Sequence, residues 1–309
     1  MEPVLRNGRI TTAERYLGEE LHGYAWRGFD PVSETALLLL HADDGHGPMD
    51  GLAVLGPTGP VATLTCGRVL RCGPAGDLGS SVATLGPEAD EVTVAAGDRT
   101  AKVIGHDGTL RETMDLTPTV TPSGHVRGLR WSPDGSRLAV LTEQDAPGAS
   151  EVAWRATRVW VVDREGDHAQ LAFTFLATGH GSDTSDAPDF DGRGIIWVGG
   201  GWNWSPDGQS LLLDVLTGGP DGTADNPAVV VLRLPPHGAV HPVDAQTLYR
   251  SDRVFDWWGN VAWSPDGARI AVRTRHHITE ISAADGSVIK QHPHRNGWII
   301  WPAREGLRR

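Results

Sequence analysis

The chain has 309 residues but only two cysteines, three tyrosines, three methionines and five phenylalanines. Lysine is nearly missing, since Lys102 and Lys290 are the only two among 27 basic side chains. Cys66 and Cys72 are too few to staple a chain of this length, and their C-x5-C spacing carries no redox or metal motif. They read as free thiols of a reducing compartment. Apolar runs are no longer than Ala36–Leu40, far short of the roughly 18–20 residues a membrane helix needs. The N-terminus shows no basic stretch leading into an apolar core, so no secretory leader is expected and the cytoplasm is the expected location. Acidic side chains outnumber basic ones by 39 to 27, a net charge of -12. That balance argues against a phosphate backbone as the main partner; neither nucleic acid nor a membrane is expected. There is no Gly-x-Ser-x-Gly elbow, and no glycine-rich loop between a strand and a helix.

What the chain has in quantity is turn chemistry: 39 glycines and 21 prolines, with 12 tryptophans. Turns this frequent exclude long helical bundles. One string recurs, Trp-Ser-Pro-Asp-Gly, at 131–135, 204–208 and 263–267. Each copy runs into a short alternating apolar strand, as in Arg269-Ile-Ala-Val-Arg-Thr274. Proline presets φ, aspartate bonds its own backbone and glycine supplies a positive φ, so each string predicts a β-hairpin. Weaker copies lie at Phe29-Asp-Pro, Leu85-Gly-Pro and Trp301-Pro. The starts at 29, 85, 131, 204, 263 and 301 include spacings of 38 and 46 residues, which bracket a four-stranded propeller blade of roughly 40–50 residues.

The shortest unit is complete: strand a at 260–263, b at 269–274, c at 277–282 and d at 287–291. The sixth unit has room only for strands a and b. The N-terminal segment, with a turn at Asn7-Gly8, reads as a hairpin able to supply strands c and d, which would hide two sheet edges. The expected fold is therefore all-β: one six-bladed propeller over residues 1–309, its last blade completed by residues 1–16 in a two-plus-two closure.

Trp-Ser-Pro-Asp-Gly followed by an apolar strand resembles the repeats of TolB-type propellers, called WD40-like Pro-Asp repeats. The resemblance covers essentially the whole chain. It implies a propeller and a protein- or ligand-binding role, and no catalytic residues. Against TolB, neither an export signal nor a separate N-terminal α/β domain is expected here, and against peptidases with such propellers no hydrolase domain is expected.

In a propeller, strand a lines the channel, and the d-to-a and b-to-c loops crowd one mouth, where sites sit. The d-to-a segments bring histidine, arginine, asparagine and tryptophan to that mouth, the make-up of a small-molecule pocket. His22, His125 and His294 are the candidates for proton transfer. Arg127 and Arg295 suit an anionic group, Tyr24, Trp202, Trp258 and Trp298 form walls, and Asn260 and Asn296 orient a ligand. His180 and His292 map to the same mouth. No metal ligands are assigned, because His292-Pro-His294 falls on an expected loop; a divalent ion among the histidines is the one cofactor left open. Trp131, Trp204 and Trp263 read as packing residues of the repeat, and Trp154 and Trp160 as packing between blades. The segment Gly179–Gly201, with Asp183, Asp186, Asp189 and Asp191, reads as a lid or a solvated loop. The leading expectation is a propeller that binds a polar or aromatic metabolite at the mouth, leaning toward lyase, cyclase or hydrolase-type chemistry. The other is a scaffold without catalysis that docks a protein or peptide, with Trp258 as anchor.

Overall fold

Each Trp-Ser-Pro-Asp-Gly string folds into the same hydrogen-bonded turn in the computed structural model. In the first copy, Ser132 Oγ donates to Asp134 Oδ1 (2.6 Å) and accepts from the Arg137 amide (3.0 Å). Asp134 Oδ1 also accepts from the Ser136 amide (3.1 Å). The second and third copies repeat this through Ser205 and Asp207 and through Ser264 and Asp266. Gly135, Gly208 and Gly267 sit at φ 68°, 68° and 69°, a region that costs other residues about 1–2 kcal/mol.

The structure describes residues 11–12, 24–30, 35–41, 49–56, 59–65, 82–96, 99–119, 124–145, 155–165, 169–176, 194–198, 202–218, 224–234, 244–250, 261–273, 277–293 and 299–301. The turns join strands into antiparallel meanders. Sheet 1 holds β2 (Tyr24–Asp30), β3 (Thr35–His41), β4 (Met49–Gly56) and β5 (Gly59–Thr65). Sheet 2 holds β6 (Ala83–Leu85), β7 (Glu91–Ala96), β8 (Thr100–Gly105) and β9 (Leu110–Asp115). Sheet 3 holds β10 (Gly124–Trp131), β11 (Arg137–Asp145), β12 (Arg155–Asp163) and β13 (Ala169–Leu176). In sheet 4 the first strand is split: β14 (Gly194–Val198) and β15 (Asn203–Trp204) both pair with β16 (Ser210–Gly218), followed by β17 (Ala224–Arg233) and β18 (Asp244–Arg250). Sheet 5 holds β19 (Val261–Trp263), β20 (Arg269–Arg273), β21 (His277–Ser282) and β22 (Val288–Pro293). Finally, β1 (Thr11–Thr12) pairs with β23 (Ile299–Ile300).

The arrangement is all-β, with repeated four-stranded antiparallel sheets consistent with a propeller. Two expectations change. The N-terminal strand pairs directly with β23, the strand a of the last unit, where a C-terminal strand b was expected between them; residues 302–309 lie outside the described set. The segment expected to run as a loop to Gly201 instead forms β14 over its last part, because Ile195, Trp197 and Val198 extend the pairing of β16.

Packing follows the period-two alternation of strands. In β11, Leu138 and Val140 join a buried cluster with sheet 2, while Ala139 and Leu141 join one with sheet 4. Leu212, Val229, Ile270 and Ile281 fill the seam of sheets 4 and 5, and Ala271, Ile278, Ile299 and Trp301 the seam of sheet 5 and β23. The first strands lie side by side: β2 touches β6, β6 touches β10, β10 touches β15, and β19 touches β23.

Arginine–tryptophan stacks stitch these seams. Arg137 lies 5.1 Å from the Trp204 ring and donates to the Gly208 carbonyl (2.5 Å). At the same repeat position Arg269 covers Trp301 at 4.8 Å. Trp131 and Trp204 are buried and donate to Thr93 and to the Arg130 carbonyl, as expected of packing residues. Burying a side chain of this size contributes about 2–3 kcal/mol.

Candidate ligand-binding site

The first strand of sheet 3 carries the constellation that the described residues bring together. In β10 the side chains alternate between buried Gly124, Val126 and Gly128 and exposed His125 and Arg127. The expectation put His125 and Arg127 on the loop entering this blade; both stand on the strand itself. The ladder with β11 is regular from Gly124 to Val126, then shifts by one residue before Gly128. Arg127 is therefore the extra residue of a β-bulge. Such a residue is left unpaired, and the strand bends and twists around it. Arg127 has no Cα partner on β11, and its side chain reaches back to that strand at Glu143.

Glu143 completes the group. It is the Cα partner of His125 across the ladder, which brings their side chains to one face. Its Oε2 accepts from Arg127 Nε at 2.8 Å, with Glu143 18% exposed and Arg127 46% exposed. An ion pair this open contributes at most about 1 kcal/mol to stability. Its consequence is placement: the guanidinium is held by one edge and keeps most of its donors for another acceptor. Imidazole, carboxylate and guanidinium together can bind an anionic group and move a proton beside it. The sequence reading missed Glu143. Its signal is the polar end of a strand that begins apolar, Glu143-Gln144-Asp145 after Leu138–Leu141.

Trp202 is corrected. It is 3% exposed and belongs to the buried cluster between sheets 3 and 4. Its ring lies so close to Gly128 that a Cβ there would stand 2.7 Å from it. Arg130 covers the ring at 5.4 Å and donates through Nε to the Trp202 carbonyl at 3.2 Å. The ring is committed to packing below the His125–Arg127 group and has no face for a ligand.

His292 also moves. It stands on β22, the outer strand of sheet 5, opposite Ile278. Its Nε2 bonds Glu280 Oε1, while Glu280 Oε2 accepts from Arg269 Nη1 at 2.9 Å. This network braces the stack on Trp301. Tyr24 begins β2, the first strand of sheet 1. His22, Trp258, Asn260, His294, Arg295, Asn296 and Trp298 lie outside the described residues, as do His180 and Trp154. Among the described residues no group of three or more histidine, cysteine or carboxylate side chains is arranged to hold a metal ion, and no helix is long and apolar enough to cross a membrane.

One buried acid stands apart from this group. Glu91 is 7% exposed at the seam of sheets 2 and 3, and its Oε2 has no hydrogen-bond partner. Burial raises its pKa above the ordinary value, against the pull of the Glu88 backbone and of Arg164. Arg164 reaches Glu112 at 3.0 Å and Glu88 at 3.6 Å over the Trp131 ring.

No protein-family model matches the chain, and no curated protein does. Among solved structures, the chain is similar to the dihydro-heme d1 dehydrogenase NirN, with 16% identity, a TM-score of 0.41, and coverage of 86% of this chain and 45% of that one. It is similar to a prolyl endopeptidase structure at 14% identity and a TM-score of 0.43, covering 88% of this chain and 36% of that one. The chain thus spans less than half the length of either protein, and neither carries its chemistry over.

Proposed function

We propose that the chain is a six-bladed β-propeller, closed by its N-terminal strand, that binds a small polar or aromatic metabolite at the mouth of its channel. The observation that carries the reading is the exposed pair His125 and Arg127 on the first strand of sheet 3, with Arg127 the extra residue of a bulge and paired with Glu143. Arg127 takes an anionic group of the ligand and His125 supplies the acid or base for chemistry beside it. Tyr24, His22, His294, Arg295, Trp258, Trp298, Asn260 and Asn296 complete the mouth in this reading, and a divalent metal among the histidines is compatible with it. The test is native mass spectrometry of gently purified protein against its denatured mass. A discrete extra mass, lost on denaturation and lost in an Arg127→Ala variant that still folds, supports the reading. Full retention in Arg127→Ala and His125→Ala removes the residue assignment.

A second reading, a protein-docking scaffold, is favoured by a different observation. Val61, Leu110, Leu171, Val288 and Ile289, each 39–54% exposed, all lie on fourth strands, the outer edges of sheets 1, 2, 3 and 5. In that reading the native spectrum shows no small molecule, and Ile289→Glu abolishes a partner contact that Arg127→Ala leaves intact.

A further inference from the structure

The repeat tryptophans are not all housed alike. Trp131, Trp204 and Trp301 are each covered by a guanidinium, from Arg164, Arg137 and Arg269, at 5.8, 5.1 and 4.8 Å. Arg137 and Arg269 stand six residues after their own sheet's repeat tryptophan and cover that of the next sheet. In sheet 2 that position is Glu91, and Arg164 covers Trp131 from sheet 3 instead. In sheet 4 it is Ser210, too short to cover a ring, and among the described residues no guanidinium lies over Trp263. The seam is otherwise built to the same plan. The Ser210 amide donates to Ser205 Oγ as the Arg137 amide does to Ser132 and the Arg269 amide to Ser264. A Cβ placed on Gly208 would stand 3.6 Å from Pro133 and 3.8 Å from Arg137 Nη2. One on Gly267 would stand 3.6 Å from Pro206, with no guanidinium within 4 Å. The slot beside Trp263 thus keeps the walls of its counterparts and lacks their filling. Trp263 is partly buried, where Trp131, Trp204 and Trp301 are 8%, 3% and 3% exposed. Its Nε1 has no hydrogen-bond partner, because the position that gives Trp131 its Thr93 is Leu212 in sheet 4. Arg233, the Cα partner of Ser210, turns to the outer strand and donates to Gln246 Oε1 at 3.1 Å. Exposed carboxylates flank the slot: Asp207 and Asp266 on the turns of sheets 4 and 5, and Asp285 on the hairpin that packs against Leu248. On a chain of net charge -12, this setting favours a cation.

We propose that the slot between sheets 4 and 5 at the turn end binds a guanidinium group from outside the chain, carried by a free arginine derivative or by an arginine of a partner peptide. The group lies over the Trp263 ring as Arg137 lies over Trp204, and donates to the Gly267 carbonyl as Arg137 does to that of Gly208. A guanidinium is planar and weakly hydrated, so it stacks on indole where an ammonium keeps its water. The site stands apart from the mouth and does not depend on the reading given for it.

The experiment follows the indole N–H signals of the isotope-labelled full chain by NMR, with Trp263→Phe identifying the Trp263 signal. The probes are N-acetyl-arginine amide, its neutral isostere N-acetyl-citrulline amide, and the peptide acetyl-Gly-Arg-Gly amide. Wild type is expected to show a saturable shift with the arginine derivative and to bind it about fivefold or more tightly than the citrulline. Ser210→Arg supplies the missing side chain from within, and is expected to abolish the shift and raise the melting midpoint. If Ser210→Arg does not fold, Trp263→Leu carries the test by calorimetry, since it must lose the preference for arginine over citrulline. Tighter binding of the peptide than of the free derivative assigns the site to a partner's arginine, and equal binding assigns it to a small ligand; either result supports the site. No saturable shift in wild type, equal affinity for arginine and citrulline, or binding unchanged in a folded Ser210→Arg or Trp263→Leu overturns the inference.

Discussion

The two ends of the strands are built on opposite plans. At the turn end, sheets 3, 4 and 5 repeat one device atom for atom: a serine hydroxyl, an aspartate oxygen and a glycine at φ near 68°. At the other end the described first strands differ between sheets. β2 and β10 are bulged at different depths, β14 is bulged at an isoleucine, and β6 and β19 are short and regular. The turn end therefore reads as scaffold, where one solution serves every sheet. In the proposed function the other end is where a ligand is met, since loops and strand ends on a rigid frame vary without cost to the core. If this contrast is right, stability and binding separate by location.

The largest expected loss at the turn end is Gly286→Ala, in the hairpin between β21 and β22. Gly286 has φ 73°, and a Cβ there would stand 1.8 Å from the Leu248 carbonyl oxygen of sheet 4. Overpacking and the left-handed backbone together cost about 3–4 kcal/mol, readable as a fall in the denaturation midpoint. A loss under about 1 kcal/mol would mean that the seam of sheets 4 and 5 yields, and that the turn end is not the rigid half.

Asp266→Ala comes next, at about 1–2 kcal/mol, because it removes the acceptor of the Ser264 hydroxyl and the Ala268 amide. The Ser264 hydrogen bond holds this carboxyl below its ordinary 3.8, with burial opposing. A depressed native pKa contributes stability that is present above 3.8 and lost as pH falls through that value and below. The gap between wild type and Asp266→Ala should therefore close in acid melts taken below about pH 4.

Glu91→Gln has the opposite sign. Burial raises the carboxyl above its ordinary 4.5, so the folded protein holds the proton more tightly than the unfolded chain. Wild type then loses stability as pH climbs from 4.5 through the raised native value, and above that value the full penalty stays. Glutamine removes the penalty. The variant should melt slightly higher than wild type at pH 7, with the advantage fading toward pH 4.5. An advantage that instead grew in acid would show that Glu91 is stabilised as a carboxylate by Arg164.

Smallest for stability is Arg127→Ala. Its ion pair with Glu143 is open to water, so the melting midpoint should move by less than about 1 kcal/mol equivalent. It is nevertheless the variant expected to lose the ligand.

The same contrast decides what was legible in the sequence. Turn chemistry is local: proline, aspartate and glycine act on their own backbone, so the hairpins at 131–135, 204–208 and 263–267 could be read, and strand c of sheet 5 falls at His277–Ser282 as expected. Bulges are set by how two strands add up, which no single strand states. The glycines inside β2 and β10 were the available signal. Trp202 read as a wall because spacing does not show which face a tryptophan presents; the Gly128 and Arg130 that bury it lie about seventy residues away. His292 read as a loop residue because its strand runs two positions further than its apolar pattern, to Pro293.

The most direct test is a native mass spectrum of wild type, Arg127→Ala and Asp266→Ala taken side by side, each with its melting midpoint. The account predicts that Arg127→Ala melts like wild type and loses the retained small molecule, while Asp266→Ala melts lower and keeps it. Retention by Arg127→Ala together with loss by Asp266→Ala would contradict it and place the ligand at the turn end of the sheets.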